Sequence, residues 1–293
     1  MARHLLRSLR PEQWSKNLLV FAALIFAEKL LDPAAVRAAI AAFAIFCALS
    51  SVVYLINDVA DRESDRRHPL KKHRPIAAGL LPVGTALTAA AVLGAAAIGA
   101  SFLLGVKFGL VAAAYLTLMS LYSGPLKHIV IIDVMTIAIG FVLRAVAGAA
   151  VLDVAFSHWL LVCTLLGALF IALAKRRHEL VLLADGAASH RRILGEYSAY
   201  LLDQMIAIVA ASTVIAYTLY TISPETVDKF GTVWLELTIP FPLYGIFRYL
   251  YLVHRREGGG SPADLLLSDR PLLACVTLGV AAVVLIIYGS RLL

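Results

Sequence analysis

The feature that most constrains this chain is a succession of long apolar segments, which are separated by polar connections over nearly the whole sequence. A membrane-spanning helix needs about 20 predominantly apolar residues. About nine segments meet this requirement, at residues 14–31, 35–56, 83–104, 107–124, 129–151, 157–175, 199–222, 233–253 and 271–290. The first is the weakest, because Glu28 and Lys29 interrupt its end. The sequence therefore predicts an all-α polytopic membrane protein with one domain over residues 1–293.

The overall composition excludes the main alternatives to a membrane protein. Of the 293 residues, 61% are hydrophobic and only 15% are charged, whereas soluble globular chains carry about 45–50% apolar and about 25% charged residues. A disordered chain has low hydrophobicity and high charge, so the high hydrophobic fraction and low charged fraction of this chain also exclude disorder. The cysteines Cys47, Cys163 and Cys275 each lie in an apolar segment and form no CxxC pair. We therefore expect packing cysteines, with no disulfide framework or cysteine metal site.

The positive charges are distributed unevenly between the two predicted faces of the membrane. The net charge is +7. About nineteen Lys and Arg residues lie at the N-terminus or in the connections after the even-numbered segments, against about five on the other side. Because cytoplasmic loops carry such an excess, the N-terminus and the long polar loops, 57–82 and 176–198, are predicted to face the cytoplasm. The excess favours contact with anionic membrane lipids, and we expect no nucleic-acid partner.

The loop after the second apolar segment begins with an acidic cluster, which we define as Asn57, Asp58, Asp61 and Asp65. The aspartates are three or four residues apart and Asn57 precedes Asp61 by four, so all four share one face if the helix continues beyond the membrane. Carboxylates on one face repel each other unless a cation lies between them, and oxygen ligands are what Mg²⁺ prefers. The alternative is a solvated helix end with ion pairs, which the like-charge pair Asp61 and Asp65 disfavours.

A basic turn, which we define as Lys71, Lys72 and Arg74, follows the acidic cluster. A metal site beside a basic loop suits a diphosphate, because the metal bridges phosphate oxygens while Lys and Arg neutralise the remaining charge. His68 and His73 lie in the same run, but no Cys or compact His and Glu set completes a zinc site. The sequence thus indicates a phosphate-rich ligand at the cytoplasmic face.

The spacing NDxxDxxxD, placed after the second of about nine membrane helices, resembles the signature of the UbiA superfamily of intramembrane prenyltransferases. The resemblance covers nearly the whole chain. It implies a helical bundle around a central cavity, capped by the cytoplasmic loops. Three further stretches are similar to that family: RPEQWSKN at 10–17, YSGPLK at 122–127 and DVMTIAIGFVLRAVAG at 133–148.

Within the superfamily, the chain looks most like the decaprenyl-phosphate phosphoribosyltransferase branch. The likeness lies in NDVADRESDRRHPLKKHRPIAAG at 57–79, ALFIALAKRRHEL at 168–180 and GGGSPADLLLSDRPL at 258–272. It implies Mg²⁺-dependent transfer of 5-phosphoribose from phosphoribosyl diphosphate (PRPP) to a polyprenyl phosphate such as decaprenyl phosphate, with release of diphosphate. The implied setting is the inner membrane of a bacterial cell, with the active site facing the cytoplasm, and the product feeds cell-wall precursor synthesis.

The second cytoplasmic loop separates this interpretation from its competitors. Family members that use prenyl diphosphates usually carry a second aspartate-rich motif there, whereas this loop has only Glu179 and Asp185 as acids among several Lys and Arg residues. The runner-up is a prenyltransferase that joins a polyprenyl diphosphate to an aromatic or quinone precursor. A transporter or lipid-binding protein would place ionisable residues at the midplane of several spans, and here nearly all lie at the cytoplasmic ends. The PRPP-binding loop of soluble phosphoribosyltransferases is absent.

The resemblance implies a role for each group of residues. The acidic cluster would hold Mg²⁺ on the PRPP diphosphate, and its aspartates would stabilise positive charge at the ribose C1, with Glu179 or Asp185 adding a ligand. The basic turn would neutralise the diphosphate or the 5-phosphate. Polar residues at the cytoplasmic ends are candidates for the acceptor phosphate and the 5-phosphate: Lys16, Tyr122, Lys127, Lys175, Arg176 and Arg191. Contact with lipid headgroups is the alternative for these residues.

One charge lies well inside a span. Arg144 is about 15 residues into the fifth segment, where an unpaired charge is costly. Either neighbouring carbonyl groups satisfy this guanidinium, or it lines the internal cavity and contacts substrate. The acceptor chain length, the number of metal ions and a homo-oligomeric state stay open at this point.

Overall fold

The computed structural model describes residues 1–155, 157–183, 192–255, 265–266 and 268–289. Within these residues the chain is helical and holds no strand. The α-helices are α1 (Ala2–Ser8), α2 (Ala22–Phe26), α3 (Pro33–Ala60), α4 (Arg62–Arg67), α5 (Val83–Leu104), α6 (Val106–Ser123), α7 (Ile132–Val151), α8 (His158–Leu183), α9 (Ala199–Ile222), α10 (Pro224–Phe230), α11 (Pro240–Arg255) and α12 (Arg270–Gly289). The 3₁₀ helices lie at Pro11–Phe21, Lys71–His73, Leu126–His128, Arg192–Glu196 and Trp234–Thr238.

Seven of these helices are long and apolar enough to cross a membrane, namely α3, α5, α6, α7, α8, α9 and α12. An eighth crossing results if α10 and Trp234–His254, which meet at a bend of 102°, are counted as one span. Seven or eight crossings in the described part of the chain agree approximately with the predicted nine. The prediction of an all-α, multi-pass membrane protein is confirmed.

The segment predicted as the first span has a different conformation from the others. Residues Pro11–Phe21 form a 3₁₀ helix, and only Ala22–Phe26 are α-helical before the chain turns at Glu28, which has a positive φ of 56°. Long 3₁₀ runs are uncommon because their hydrogen-bond geometry is poorer. Here tertiary contacts determine the conformation, since Asn17 and Val20 of this segment are fully buried in the protein.

The chain divides into two units, Met1–Phe156 with Asp185–Glu196, and Ser157–Ala184 with Tyr197–Leu293. One domain over residues 1–293 stays a prediction. In the first unit, α3 is the central helix, because it contacts α5, α6, α7 and the 3₁₀ helix Pro11–Phe21. The ring of Phe46 on α3 lies 5.1 Å from that of Tyr115 and 5.8 Å from that of Phe108. Such buried aromatic pairs fix α3 against α6.

A second apolar cluster fixes the basic turn beside the end of α3. Ile76 and Leu81, each 1% exposed, pack with Leu55 of α3 and Ala86 of α5. Pro75 precedes them and ends the turn, since proline cannot continue a helix. The polar residues between α4 and α5 are therefore held close to the helix end that carries the acidic cluster.

The second unit is built on α8 and α9, which pack along each other, and on α11 with α12. The ring of Phe170 on α8 lies 5.5 Å from that of Tyr249 on α11. Arg248 on α11 forms a two-point ion pair with Asp269, with donor–acceptor distances of 3.1 and 2.8 Å. Asp269 also accepts a hydrogen bond from the backbone N–H of Leu272, so it caps the start of α12.

Candidate functional site

The acidic cluster lies where α3 ends and α4 begins. Asn57 and Asp58 belong to the last turn of α3, Asp61 is its C-terminal cap and Asp65 lies on α4. The hydrogen-bond pattern continues across the junction, because Asp61 N–H donates to the Asn57 carbonyl and Asp65 N–H donates to the Asp61 carbonyl, each at 2.8 Å. The predicted helical spacing is thus kept through Asp65, although α3 and α4 are separate helices.

Asp58 and Asp65 are buried and share one cation. Asp58 is 2% exposed and Asp65 is 3% exposed. Arg74 Nη1 donates to Asp65 Oδ2 at 2.6 Å and to Asp58 Oδ1 at 3.1 Å. Asp58 Oδ1 also accepts from Arg10 Nη2 at 2.5 Å. Arg74 of the basic turn therefore contacts the acidic cluster directly.

The third aspartate has its own pair of donors. Lys127 Nζ lies 2.5 Å from Asp61 Oδ1, and Asn57 Nδ2 donates to Asp61 Oδ2 at 3.0 Å. Lys127 comes from the 3₁₀ helix Leu126–His128 that follows α6, and it is 8% exposed. The structure thus brings Lys127 to the acidic cluster. An ammonium group this buried is held by a charge partner rather than by solvent.

Burial dominates the electrostatics at Asp65. Desolvation raises the pKa of the Asp65 carboxyl above its ordinary value, although the Arg74 guanidinium and the Lys71 ammonium act in the opposite direction. Asp58 is a like charge close enough to add to the increase. An additional positive charge at this position would favour the ionised carboxylate.

The donor set of the acidic cluster consists only of oxygen atoms, which is the chemistry that Mg²⁺ prefers over zinc. Among the described residues, no group of three or more His, Cys, Asp or Glu side chains is arranged to hold a metal ion as it stands. Each aspartate instead faces an Arg or Lys cation. The residues therefore fit Mg²⁺ in ligand type, and Arg74 is shared between the Asp58 and Asp65 carboxylates.

Arg10 is a site residue that sequence analysis missed. It has a positive φ of 53° just before Pro11, and its guanidinium lies 4.8 Å from the ring centre of Tyr54, one turn before Asp58. The motif at 10–17 predicts Lys16, not Arg10, as a phosphate-binding residue. Lys16 is half-buried within the 3₁₀ helix. The sequence signal for Arg10 is its position next to Pro11, at the start of the family-like motif. An arginine next to a proline does not by itself predict a left-handed backbone at the arginine.

The basic turn is organised by a histidine. Lys71 and Lys72 lie in the 3₁₀ helix Lys71–His73, where Lys72 is exposed and Lys71 is half-buried. His68 Nδ1 accepts hydrogen bonds from the backbone N–H groups of Leu70 and Lys71, at 3.1 and 3.3 Å. His68 therefore caps the turn.

Arg144 is enclosed in the first unit by neutral groups. Its Nε donates to Asn17 Oδ1 at 2.8 Å, Nη1 to the Gly140 carbonyl at 2.8 Å and Nη2 to the Tyr115 hydroxyl at 2.7 Å. The ring centres of Tyr115 and Phe141 lie 4.8 and 5.0 Å from its guanidinium carbon. These contacts favour the first of the two alternatives, in which neighbouring groups satisfy the charge. Its substrate role stays a prediction.

The structure describes the surroundings of some of the other predicted binding residues, and two further predicted residues lie outside what it describes. Tyr122 is half-buried against the apolar core of the first unit. In the second unit, Arg176 Nη1 donates to Glu179 Oε2 at 2.5 Å, one turn further along α8, which also carries Lys175. Asp185 and Arg191 lie outside the described residues.

Comparisons with known proteins agree with this architecture. The UbiA prenyltransferase family matches residues 17–268. The decaprenyl-phosphate phosphoribosyltransferase of Corynebacterium glutamicum is 35% identical over 293 residues, covering 98% of this chain and 88% of that protein. The protein of the same name from Mycolicibacterium smegmatis is 36% identical over 281 residues, covering 92% and 87%. A UbiA homologue from Archaeoglobus fulgidus, solved bound to GPP and Mg²⁺, shares the fold with a TM-score of 0.76 at 18% identity, covering 97% and 99%.

Proposed function

The chain belongs to the UbiA prenyltransferase family, and on that premise we propose that this membrane transferase moves 5-phosphoribose from PRPP to a polyprenyl phosphate such as decaprenyl phosphate. The names of its relatives support the choice of donor and acceptor. The observation that carries the proposal is the acidic cluster at the end of α3, enclosed by Arg10, Arg74 and Lys127. Carboxylates and cations interleaved in this way suit a metal-bound diphosphate.

The reaction is a substitution at the ribose C1. The bond between C1 and the diphosphate oxygen breaks, diphosphate leaves with both electrons, and an oxygen of the lipid phosphate forms the new bond to C1. Mg²⁺, held by the acidic cluster, would neutralise charge on the departing diphosphate. Positive charge develops on the ribose as the bond breaks, and the carboxylates of Asp58, Asp61 and Asp65 would stabilise it.

The lipid phosphate is already an anion at neutral pH, so the attack needs no general base. The residues of this chain therefore act by binding and orienting the two substrates, which accounts for a site rich in Arg and Lys. Lys72, which is exposed on the basic turn, and Lys71, which is half-buried there, would neutralise phosphate charge. Substrate roles for Lys16, Tyr122 and the residues of the second loop are part of the proposal.

The remaining parts of the proposal are the setting and the product. The proposed setting is a bacterial cell membrane in which the site faces the cytoplasm. The orientation is supported by the excess of Lys and Arg at the N-terminus and in the connections after the even-numbered apolar segments. Soluble PRPP would then meet the membrane-bound acceptor at this face, and the product would supply a lipid-linked pentose for cell-wall precursors.

The test is transfer of labelled phosphoribose in detergent or lipid nanodiscs. The purified chain, PRPP labelled in the ribose and decaprenyl phosphate are expected to give a labelled lipid with Mg²⁺ and none with a chelator. Asp61→Asn is expected to reduce the rate about 10–100-fold, the range for disturbing the ligands of a metal site or their support. Glu63→Gln, an exposed acid between Asp61 and Asp65, is the matched control and should keep activity. Full activity of Asp61→Asn would refute the proposed site.

A further inference from the structure

The acidic cluster and its surrounding cations form a set in which the formal charges balance. Three carboxylates, those of Asp58, Asp61 and Asp65, face three side-chain cations within 2.6 Å. Two of these carboxylates are almost fully buried. A buried carboxylate without a partner is costly, so each cation offsets part of the cost of burying the carboxylate that it contacts.

The three cations come from separate parts of the first unit, and the two guanidinium groups are more exposed than the Asp58 carboxylate that both contact. Arg10 precedes the 3₁₀ helix Pro11–Phe21, Arg74 follows α4, and Lys127 follows α6. The side chains of Arg10 and Arg74 are 19% and 24% exposed, against 2% for the Asp58 side chain that both contact. Each guanidinium therefore retains an open side, where a phosphate oxygen can approach while the carboxylate stays in place.

We propose that Arg10 and Arg74 are exchangeable counter-ions, which neutralise Asp58 and Asp65 and pass to phosphate oxygens when a metal-bound diphosphate enters. This inference rests on the proposed function for the identity of the ligand. A divalent cation alone competes with the resident cations and binds weakly. Diphosphate accepts the displaced cations, so metal and diphosphate each increase the affinity for the other by the same factor.

Arg74 gives the most discriminating variant, because it is shared by Asp58 and Asp65. Replacing it by Gln removes the cation that a metal must displace, so the affinity for the metal alone should rise. A residue that only binds phosphate would leave that affinity unchanged, and a residue that only holds the fold together would lower it. The direction of the change in affinity for the metal alone therefore distinguishes an exchangeable counter-ion from a residue that only binds phosphate and from one that only stabilises the fold.

The experiment measures Mn²⁺ binding to the full purified chain by electron paramagnetic resonance of the free ion, with and without inorganic pyrophosphate. For the unaltered chain we expect pyrophosphate to tighten Mn²⁺ binding about tenfold or more, within the usual range of coupling between two ligands. Arg74→Gln should tighten binding of Mn²⁺ alone about tenfold and reduce the effect of pyrophosphate. Arg67→Gln removes the same charge from an exposed position on α4, and should change neither value.

The outcomes distinguish the inference from the proposed function. If the unaltered chain shows coupling but folded Arg74→Gln binds Mn²⁺ alone no more tightly, the exchange is wrong while the diphosphate site stands. If the unaltered chain binds Mn²⁺ in neither condition, both fail. If Arg74→Gln does not fold, Arg10→Gln replaces it in the experiment. Because Arg10 pairs with Asp58, Arg10→Gln should also tighten binding of Mn²⁺ alone, and unchanged binding would refute the exchange.

Discussion

The close approach of α7 to the 3₁₀ helix Pro11–Phe21 gives the sharpest prediction about stability. A Cβ added at Gly148 would lie 2.1 Å from the Val20 carbonyl oxygen, whereas Cβ atoms essentially never come within 3.0 Å of another heavy atom. The backbones must therefore separate by about 0.9 Å in Gly148→Ala. A displacement of that size along the bond between Arg144 Nε and Asn17 Oδ1 would lengthen it from 2.8 Å to about 3.7 Å, which is no longer a hydrogen bond.

These two effects set the expected magnitude. Overpacking costs about 1–3 kcal/mol, and loss of a hydrogen bond to a charged group costs about 1.5–3 kcal/mol. We expect Gly148→Ala to lower the free energy of unfolding by about 3 kcal/mol or more. The change should appear as a lower midpoint of thermal unfolding in detergent.

The matched control for this substitution is Gly94→Ala. Gly94 is also a buried glycine in a membrane helix, but its added Cβ would meet Val52 Cγ1 at 3.6 Å, an ordinary van der Waals contact. Its unfolding midpoint should stay close to that of the unaltered chain. Equal stability of Gly148→Ala and Gly94→Ala would refute the packing of the 3₁₀ helix against α7.

Three further changes have separate expected outcomes. Asn17→Ala removes the acceptor of Arg144 Nε and should lower the free energy of unfolding by about 1.5–3 kcal/mol, measured by thermal unfolding; an unchanged midpoint would contradict the burial of that pair. Lys107→Ala breaks an exposed ion pair with Asp153 and should leave the midpoint unchanged, so a clear decrease would show that this pair is structural. Lys127→Met should reduce phosphoribose transfer about tenfold or more, because Asp61 loses its cation; activity equal to that of the unaltered chain would exclude Lys127 from the site.

The fold and the acidic cluster follow from local patterns in the sequence, and the contacts around them do not. Apolar length predicts helices such as α3, and the spacing of Asn57, Asp61 and Asp65 predicts that they share a face, because both depend on helix geometry alone. The partners of the cluster are distant in the chain. Lys127 lies 66 residues from Asp61, and Arg10 lies 48 residues from Asp58. Only tertiary packing brings such residues together.

The conformation of the first segment is the other feature that local patterns miss. Its composition suits a membrane helix, but Asn17 hydrogen-bonds to Ser50 on α3 and to Arg144 on α7. A buried amide with several partners fixes the path of its backbone, because leaving any of them unsatisfied is costly. The polar network therefore overrides the helical tendency of the apolar residues around it.

The most direct test of the account is a competition between the two pairs of substrates that it distinguishes. The chain in nanodiscs would be offered PRPP with decaprenyl phosphate, and a polyprenyl diphosphate with an aromatic acid, in one reaction containing Mg²⁺. We expect mass spectrometry to show a lipid phosphate that has gained one phosphoribosyl group. This product should be absent or strongly reduced with Asp61→Asn. A prenylated aromatic acid as the sole product would contradict the proposed function.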